Sequence, residues 1–298
     1  MSIRHPFHLA ICVLGLTWGL GTPAYAQDPT PTPQPSATAA PPAATLQATP
    51  SSPDEDDAKP QPVEPDYRIV NLPTTLRVPR HGGNFTLTHR FNGDLTEGTF
   101  LDQLSTLFGM DNGAAMGFEY RYGIARHVEA VAFRTNIDQT IQFTGKFDEW
   151  RQGEKSMPLS ISPFVAVEGA LNFRENYETS VGASVGRSFK NRAMVYAVPW
   201  VVMNSAAGTG DYRNTFALGI GGRVMIKPRL FVVGEVTPRL GGYTPNDEEY
   251  SFGIETRVGG HVFQLNFSNS QQTTLGLLSH GGSNDKLFLG FNLSRKFF

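Results

Sequence analysis

Charged side chains recur at alternate positions in stretches that are otherwise apolar, and no other arrangement in the chain is better placed to act on a solute. Arg90, Glu119, Arg121, Arg134, Lys146, Asp148, Glu168, Arg223, Glu235, Arg239, Glu255, Arg257 and Lys286 all fall on the polar side of such a stretch. Glu119 with Arg121, and Glu255 with Arg257, stand two apart and so share one face of a strand. Around an aqueous lumen, charges like these act by Coulomb force, and the sign in excess selects the ion that passes. Eight of the thirteen are cationic, so the expectation is a narrow passive pore that favours small anionic solutes. The alternative is an ion-paired interior that fills and stiffens a closed barrel.

Two other groupings have the residue types for chemistry. His280-Gly281-Gly282-Ser283-Asn284 brings a histidine, a serine and an asparagine together, as in a hydrolase whose imidazole activates a hydroxyl. Phe173-Arg174-Glu175-Asn176-Tyr177-Glu178 is locally similar to a segment of the outer-membrane phospholipase A family, whose nucleophile segment reads His-x-Ser-Asn on a strand. Here one residue too many separates His280 from Ser283, and two glycines place them in a loop. Lipid hydrolysis is therefore the remote alternative, and no residue is assigned a catalytic role. His81, His127 and His261 have no second histidine or cysteine at strand or helix spacing, and Asp102, Asp111, Asp247 and Glu248 lack calcium-loop spacing. Neither a metal nor a cofactor is expected.

The elements that must position the charges are strands. In 286–297, Leu287, Leu289, Phe291 and Leu293 alternate with Gly290, Asn292 and Ser294; in 261–269, Phe263, Leu265 and Phe267 alternate with Gln264, Asn266 and Ser268. This is the period of a strand with one apolar and one polar face. It recurs over 84–91, 114–124, 127–137, 140–150, 159–171, 179–189, 193–204, 215–226, 229–240, 250–258, 261–269 and 286–297. Most of these twelve segments run nine to thirteen residues, enough to cross a bilayer core when tilted. An even count suits a bacterial outer-membrane barrel. The connections alternate as well: 125–126, 190–192, 227–228 and 259–260 are short, while 92–113, 172–178, 205–214, 241–249 and 270–285 are longer. Two connections, 138–139 and 151–158, break that rule. The expected fold is all-β, a transmembrane antiparallel up-and-down β-barrel of about 12 strands. Trp150, Tyr122, Tyr250 and Phe298 near strand ends suit the aromatic belts of such a barrel. Phe100, Leu101, Leu104, Leu107 and Phe108 in the first long loop have helical spacing, for an inward plug or a small helix at the rim. Of the two, the rim helix is favoured.

His89-Arg90-Phe91, followed by a first loop ending Phe108-Gly109-Met110-Asp111, resembles the opening of an uncharacterised bacterial outer-membrane β-barrel family, a domain of unknown function. Gly259-Gly260-His261-Val262-Phe263-Gln264-Leu265 and Gly290-Phe291-Asn292-x-Ser294-Arg295-x-Phe297 resemble its close. The resemblance covers about residues 70–298; it implies fold and location and no activity. The last strand, with Leu289, Phe291, Leu293, Phe297 and the terminal Phe298, resembles the signal such barrels present to the barrel assembly machinery.

Composition agrees with export. Charged residues make up 17% of the 298, low for a soluble domain, and no basic block suits nucleic acid. No apolar run past the N-terminus is long enough for a membrane-spanning helix. Residues 1–26 read as a signal peptide, with an apolar stretch Leu9–Leu20 and Ala24-Tyr25-Ala26 before the cut. The single cysteine, Cys12, lies within it. Residues 27–66 contain eleven prolines and an acidic run, Asp54-Glu55-Asp56-Asp57. They read as a disordered periplasmic linker, through which a closed barrel would anchor a periplasmic partner. Residues 67–298 form the expected barrel, embedded in outer-membrane lipid.

Overall fold

Period-two alternation leaves each strand with an apolar and a polar side, and the chain places the apolar side outward. The structure, a computed structural model, describes residues 63–298. The expected signal peptide and residues 27–62 of the expected linker lie outside the described residues. The strands are β1 (Gly83–Asp94), β2 (Ala114–Ala125), β3 (Val128–Thr135), β4 (Ile141–Phe147), β5 (Ser160–Gly169), β6 (Glu175–Phe189) and β7 (Ala193–Met203). They continue with β8 (Thr215–Lys227), β9 (Leu230–Thr237), β10 (Arg239–Gly242), β11 (Glu249–Val258), β12 (His261–Ser268) and β13 (Phe288–Phe297). β1 to β9 each pair antiparallel with the next in sequence, as do β11 to β13; β11 also pairs with β9, and β1 pairs with β13 to close the ring. β9 and β10 are halves of one strand, both paired with β8 and interrupted at Pro238, which has no N–H to give the ladder. The ring is therefore a closed antiparallel barrel of twelve strands, and the spans expected from periodicity lie within a few residues of those observed.

The burial pattern is that of a water-soluble protein turned inside out. On β2, Phe118 and Ile124 are 47% and 52% exposed, whereas Glu119 and Arg121 between them are 1% and 4% exposed. A lipid-facing apolar surface and a polar interior account for this. One rim holds both ends of the ring, Gly83 and Phe297, and mostly short turns; we call it the terminal rim. The opposite, loop rim carries 95–113, 204–214, 243–248 and 269–287.

The core sits inside the lumen. Met194, Tyr196, Val198, Trp200 and Val202 of β7 face inward and are buried against Ile69, Val70, Leu72, Leu275 and Leu278. Residues 63–79 lie inside the barrel. They enter the barrel at the terminal rim, double back and return to β1. Val63, Glu64, Pro65 and Asp66, placed in the linker by composition, are buried there. Proline content signalled an extended chain, and the barrel wall supplies the burial that the segment lacks by itself. The loop-rim helix α1 (Phe100–Ser105) stays outside, with Phe100 70% and Leu101 72% exposed. The inward element at that rim is instead 269–281, with helix α2 (Leu275–Ser279) fully buried.

Candidate functional site

A tight reversal at Ile69–Leu72 forms the tip of the inserted hairpin. Ile69 N–H donates to Leu72 O (2.9 Å) and Thr74 N–H to Tyr67 O (3.0 Å). At its base Glu64 Oε1 accepts from Thr75 N–H, Thr75 Oγ1 and Tyr196 Oη, each at 2.9 Å. The wall then takes up the main chain at the tip. Glu235 accepts three consecutive N–H groups, from Val70 (3.0 Å), Asn71 (2.7 Å) and Leu72 (3.1 Å). Arg223 donates to Arg68 O (2.6 Å), Gln264 to Ile69 O (2.5 Å) and Asn292 to Val70 O (2.8 Å). Arg90 donates to Asn71 Oδ1 (2.9 Å). Gly219 and Gly221 on β8 leave room for the tip: a Cβ on Gly219 would stand 2.6 Å from Leu72, and one on Gly221 2.8 Å from Ile69.

An ion chain crosses the wall from the hairpin. Arg68 Nε donates to Glu119 Oε2 (2.8 Å), and Arg121 bridges Glu119 and Glu129 at 2.6 Å each. Lys146 continues to Glu129 (3.4 Å) and Asp148 (3.2 Å), and donates to Leu76 O of the hairpin (2.8 Å). Every member is buried, so each charge depends on its neighbours for the hydration it has lost. The enclosed space beside Arg68, Glu119 and Arg121 is about 20 Å³, room for about one water molecule. The hairpin and α2 thus occupy the lumen from its two ends.

The inward loop is fastened at both ends of α2. Glu168 on β5 accepts from Thr274 Oγ1 (2.7 Å) and Gly276 N–H (2.9 Å); a Cβ on Gly276 would stand 2.6 Å from that carboxyl. His280 Nε2 donates to Ser205 O (2.8 Å) and faces Glu178 at 3.4 Å, while Arg239 donates to His280 O (2.8 Å). Burial pushes the His280 imidazole down, but the Glu178 carboxylate, the Ser205 carbonyl and Glu168 prevail and hold its pKa above the ordinary 6.5. A raised pKa means the closed loop prefers the protonated ring. That stabilisation is complete below about pH 6.5 and is lost as pH rises through the higher folded value. Deuterium uptake over 270–281 should therefore be faster at about pH 9 than at about pH 6, beyond the intrinsic rate change, and His280→Gln should reduce the difference. Equal protection at both pH values in the native chain would refute the latch.

The expected lumen charges divide. Arg90, Glu119, Arg121, Lys146, Asp148, Glu168, Arg223, Glu235 and Glu255 are buried inside the ring. Arg134 is not: the inward side of β3 is Glu129, Val131, Phe133 and Thr135, so Arg134 points outward and donates to Asn172 Oδ1 (2.9 Å). Lys286 is exposed in the loop before β13. Arg239, past the Pro238 break, ties loops together, with Glu248 at 3.5 Å, and Arg257 is half-buried. Sequence reading missed Glu129, Glu178 and Glu249, which are buried in the lumen. Glu129 was legible as the inward partner of Val131 and Phe133, had β3 been read as apolar on its inner face. The wall then holds eight buried carboxylates (Glu119, Glu129, Asp148, Glu168, Glu178, Glu235, Glu249, Glu255) against four buried cations (Arg90, Arg121, Lys146, Arg223). This excess is opposite in sign to the one expected. Of the assembly-signal residues, Leu289 is buried, Phe291 and Leu293 are half-buried, and Phe297 and Phe298 are exposed. In the hydrolase-like segment, Ser283 Oγ donates to Asp285 (2.5 Å) while His280 is engaged elsewhere, so the two do not form a nucleophile–base pair.

Residues 66–297 match a family model described as a membrane bound beta barrel domain (DUF5777). No curated protein matches the chain. Among solved structures, the chain is similar to the NanC porin at 8% identity, covering 72% of this chain and 100% of that one, with a TM-score of 0.48. It is also similar to an outer membrane channel from Pseudomonas putida F1 at 9% identity, 74% and 97% coverage and a TM-score of 0.46. A third, the outer membrane protein Omp33 of Acinetobacter baumannii, has 7% identity, 73% and 98% coverage and a TM-score of 0.40.

Proposed function

We propose, from the premise that the chain belongs to the DUF5777 family of membrane-bound β-barrel domains, that it is an outer-membrane channel held shut at rest by its own N-terminal hairpin. The observation that carries this reading is the seating of residues 63–79 inside a ring that closes without them: β1 to β13 pair all the way round by strand contacts alone. In an outer membrane the terminal rim faces the periplasm, so the hairpin is reached from that side. Its withdrawal also removes Arg68, whose Nη1 donates to Thr273 O of the inward loop (3.0 Å). The lumen so opened has an excess of carboxylates and favours small cationic over anionic solutes.

Planar-bilayer recording tests this. The full-length chain should be closed most of the time with brief openings, and a chain lacking residues 63–80 should conduct steadily with cation preference in a salt gradient. A silent deletion variant, shown by circular dichroism and heat-dependent gel mobility to be folded, overturns the channel. A conducting deletion variant beside a native chain that never opens favours the second reading. That reading is a closed barrel that anchors a periplasmic partner, and the depth at which the hairpin is buried supports it.

A further inference from the structure

The wall takes up much of the main chain at the tip of the hairpin. Glu235 takes three backbone N–H groups, and Arg223, Gln264 and Asn292 donate to three successive carbonyls, those of Arg68, Ile69 and Val70. Further along, Ser184 donates to Pro73 O (3.0 Å) and Lys146 to Leu76 O (2.8 Å). Main-chain groups are common to all peptides, so this part of the wall fits a turn of other sequences that keep the side chains it reads. Within the turn, side-chain reading falls on two positions, and at the base of the hairpin Tyr196 donates to Glu64 and Arg77 donates to Asp148 O (3.0 Å). Arg68 is taken by Glu119, and Asn71 by Arg90 and Glu249, the latter accepting from Asn71 Nδ2 at 3.2 Å. Between them the glycines of β8 leave two shallow hollows that Ile69 and Leu72 fill.

We infer that the lumen is a peptide-binding site which the hairpin occupies in cis. With the hairpin withdrawn, the site takes a short peptide in trans, bent into a tight turn and carrying a basic side chain just before the bend. The inference rests on the hairpin being displaceable. The wall makes the class of ligand specific. Three adjacent N–H groups converging on one carboxylate, beside three successive carbonyls that accept from the wall, are what a reversed peptide chain presents. The carboxylate excess and Glu119 select a cationic side chain.

The test keeps the whole chain and weakens only the resident hairpin, by Arg68→Ala with Asn71→Ala. The probe is a synthetic peptide of residues 63–79 carrying a fluorophore, read by anisotropy in detergent and by block of conductance in a bilayer. The peptide should bind saturably and shorten the openings. A copy N-methylated at Val70, Asn71 and Leu72 should bind at least tenfold more weakly, as should a copy with Arg68→Glu. An unrelated peptide with a basic residue before a turn should bind within about tenfold of the native sequence. Saturable binding to a variant that never conducts keeps the site and removes the channel reading. No binding, or equal binding of the N-methylated copy, overturns the peptide site whether or not the variant conducts.

Discussion

On the gated-channel reading, Glu235→Ala is expected to give a barrel that conducts in long bursts where the native chain opens briefly. The lost carboxylate accepts from the N–H groups of Val70, Asn71 and Leu72 at 2.7–3.1 Å, and alanine offers none of them an acceptor. A buried donor left without a partner costs about 1–3 kcal/mol. Water entering the space vacated by the side chain recovers part of this for three adjacent donors, leaving about 3 kcal/mol against the inserted hairpin. That is roughly a hundredfold shift of the closed-to-open ratio. Glu235→Gln keeps one carbonyl oxygen and should fall between, near tenfold. Single-channel open probability is the readout, and an inserted Glu235→Ala barrel that opens no more often than the native chain would remove Glu235 as the clasp of the hairpin.

The second large effect falls on stability. Glu119→Ala should leave both Arg68 and Arg121 without their shared carboxylate, in a lumen where Arg121 is 4% and Arg68 6% exposed. Removing one member of a buried ion group costs about 3–5 kcal/mol, because the charges left behind remain desolvated. For a barrel of this size that is about a 10 °C fall in the unfolding midpoint, read by circular dichroism in detergent. Adding Arg68→Ala should recover part of the loss, since the pair shares one interaction and the effects do not sum. A midpoint within about 1 °C of the native value in Glu119→Ala would mean that the chain of charges is solvated after all.

The strands were legible because lipid outside and polar groups inside impose the same period on each of them, so Phe263, Leu265 and Phe267 mark β12 as plainly as Gln264 and Asn266 do. The contents of the lumen were not, because the polar side of the pattern was read as wet. The contrary signal lay in β7, where Met194, Tyr196, Val198, Trp200 and Val202 make the inner face as apolar as the outer. Phe133, Phe164 and Phe231 add inward aromatics, which an open channel has no use for. These residues announce that something apolar fills the barrel without saying which segment. Tyr67-Arg68-Ile69-Val70-Asn71-Leu72, the first apolar stretch after the prolines, is the match. The register of β3 was lost for the same reason: Arg134 was placed inward on polarity, although Val131 and Phe133 occupy that side.

Because both arms of the hairpin reach the terminal rim, its response to mechanical load depends on direction. Tension applied at Val63 draws on one arm only, since the other is anchored through Pro79 to β1, where Gly82 N–H donates to Pro79 O (2.9 Å). The bonds of Glu64 to Thr75 and Tyr196 carry the load first, then that of Thr74 to Asp66, and only afterwards the cluster at Glu235. Contacts loaded in series yield at a small force, each in turn, whereas pressure from the loop rim would load them all at once. The hairpin should thus give way to a pull on Val63 at the terminal rim and resist a push from the loop rim.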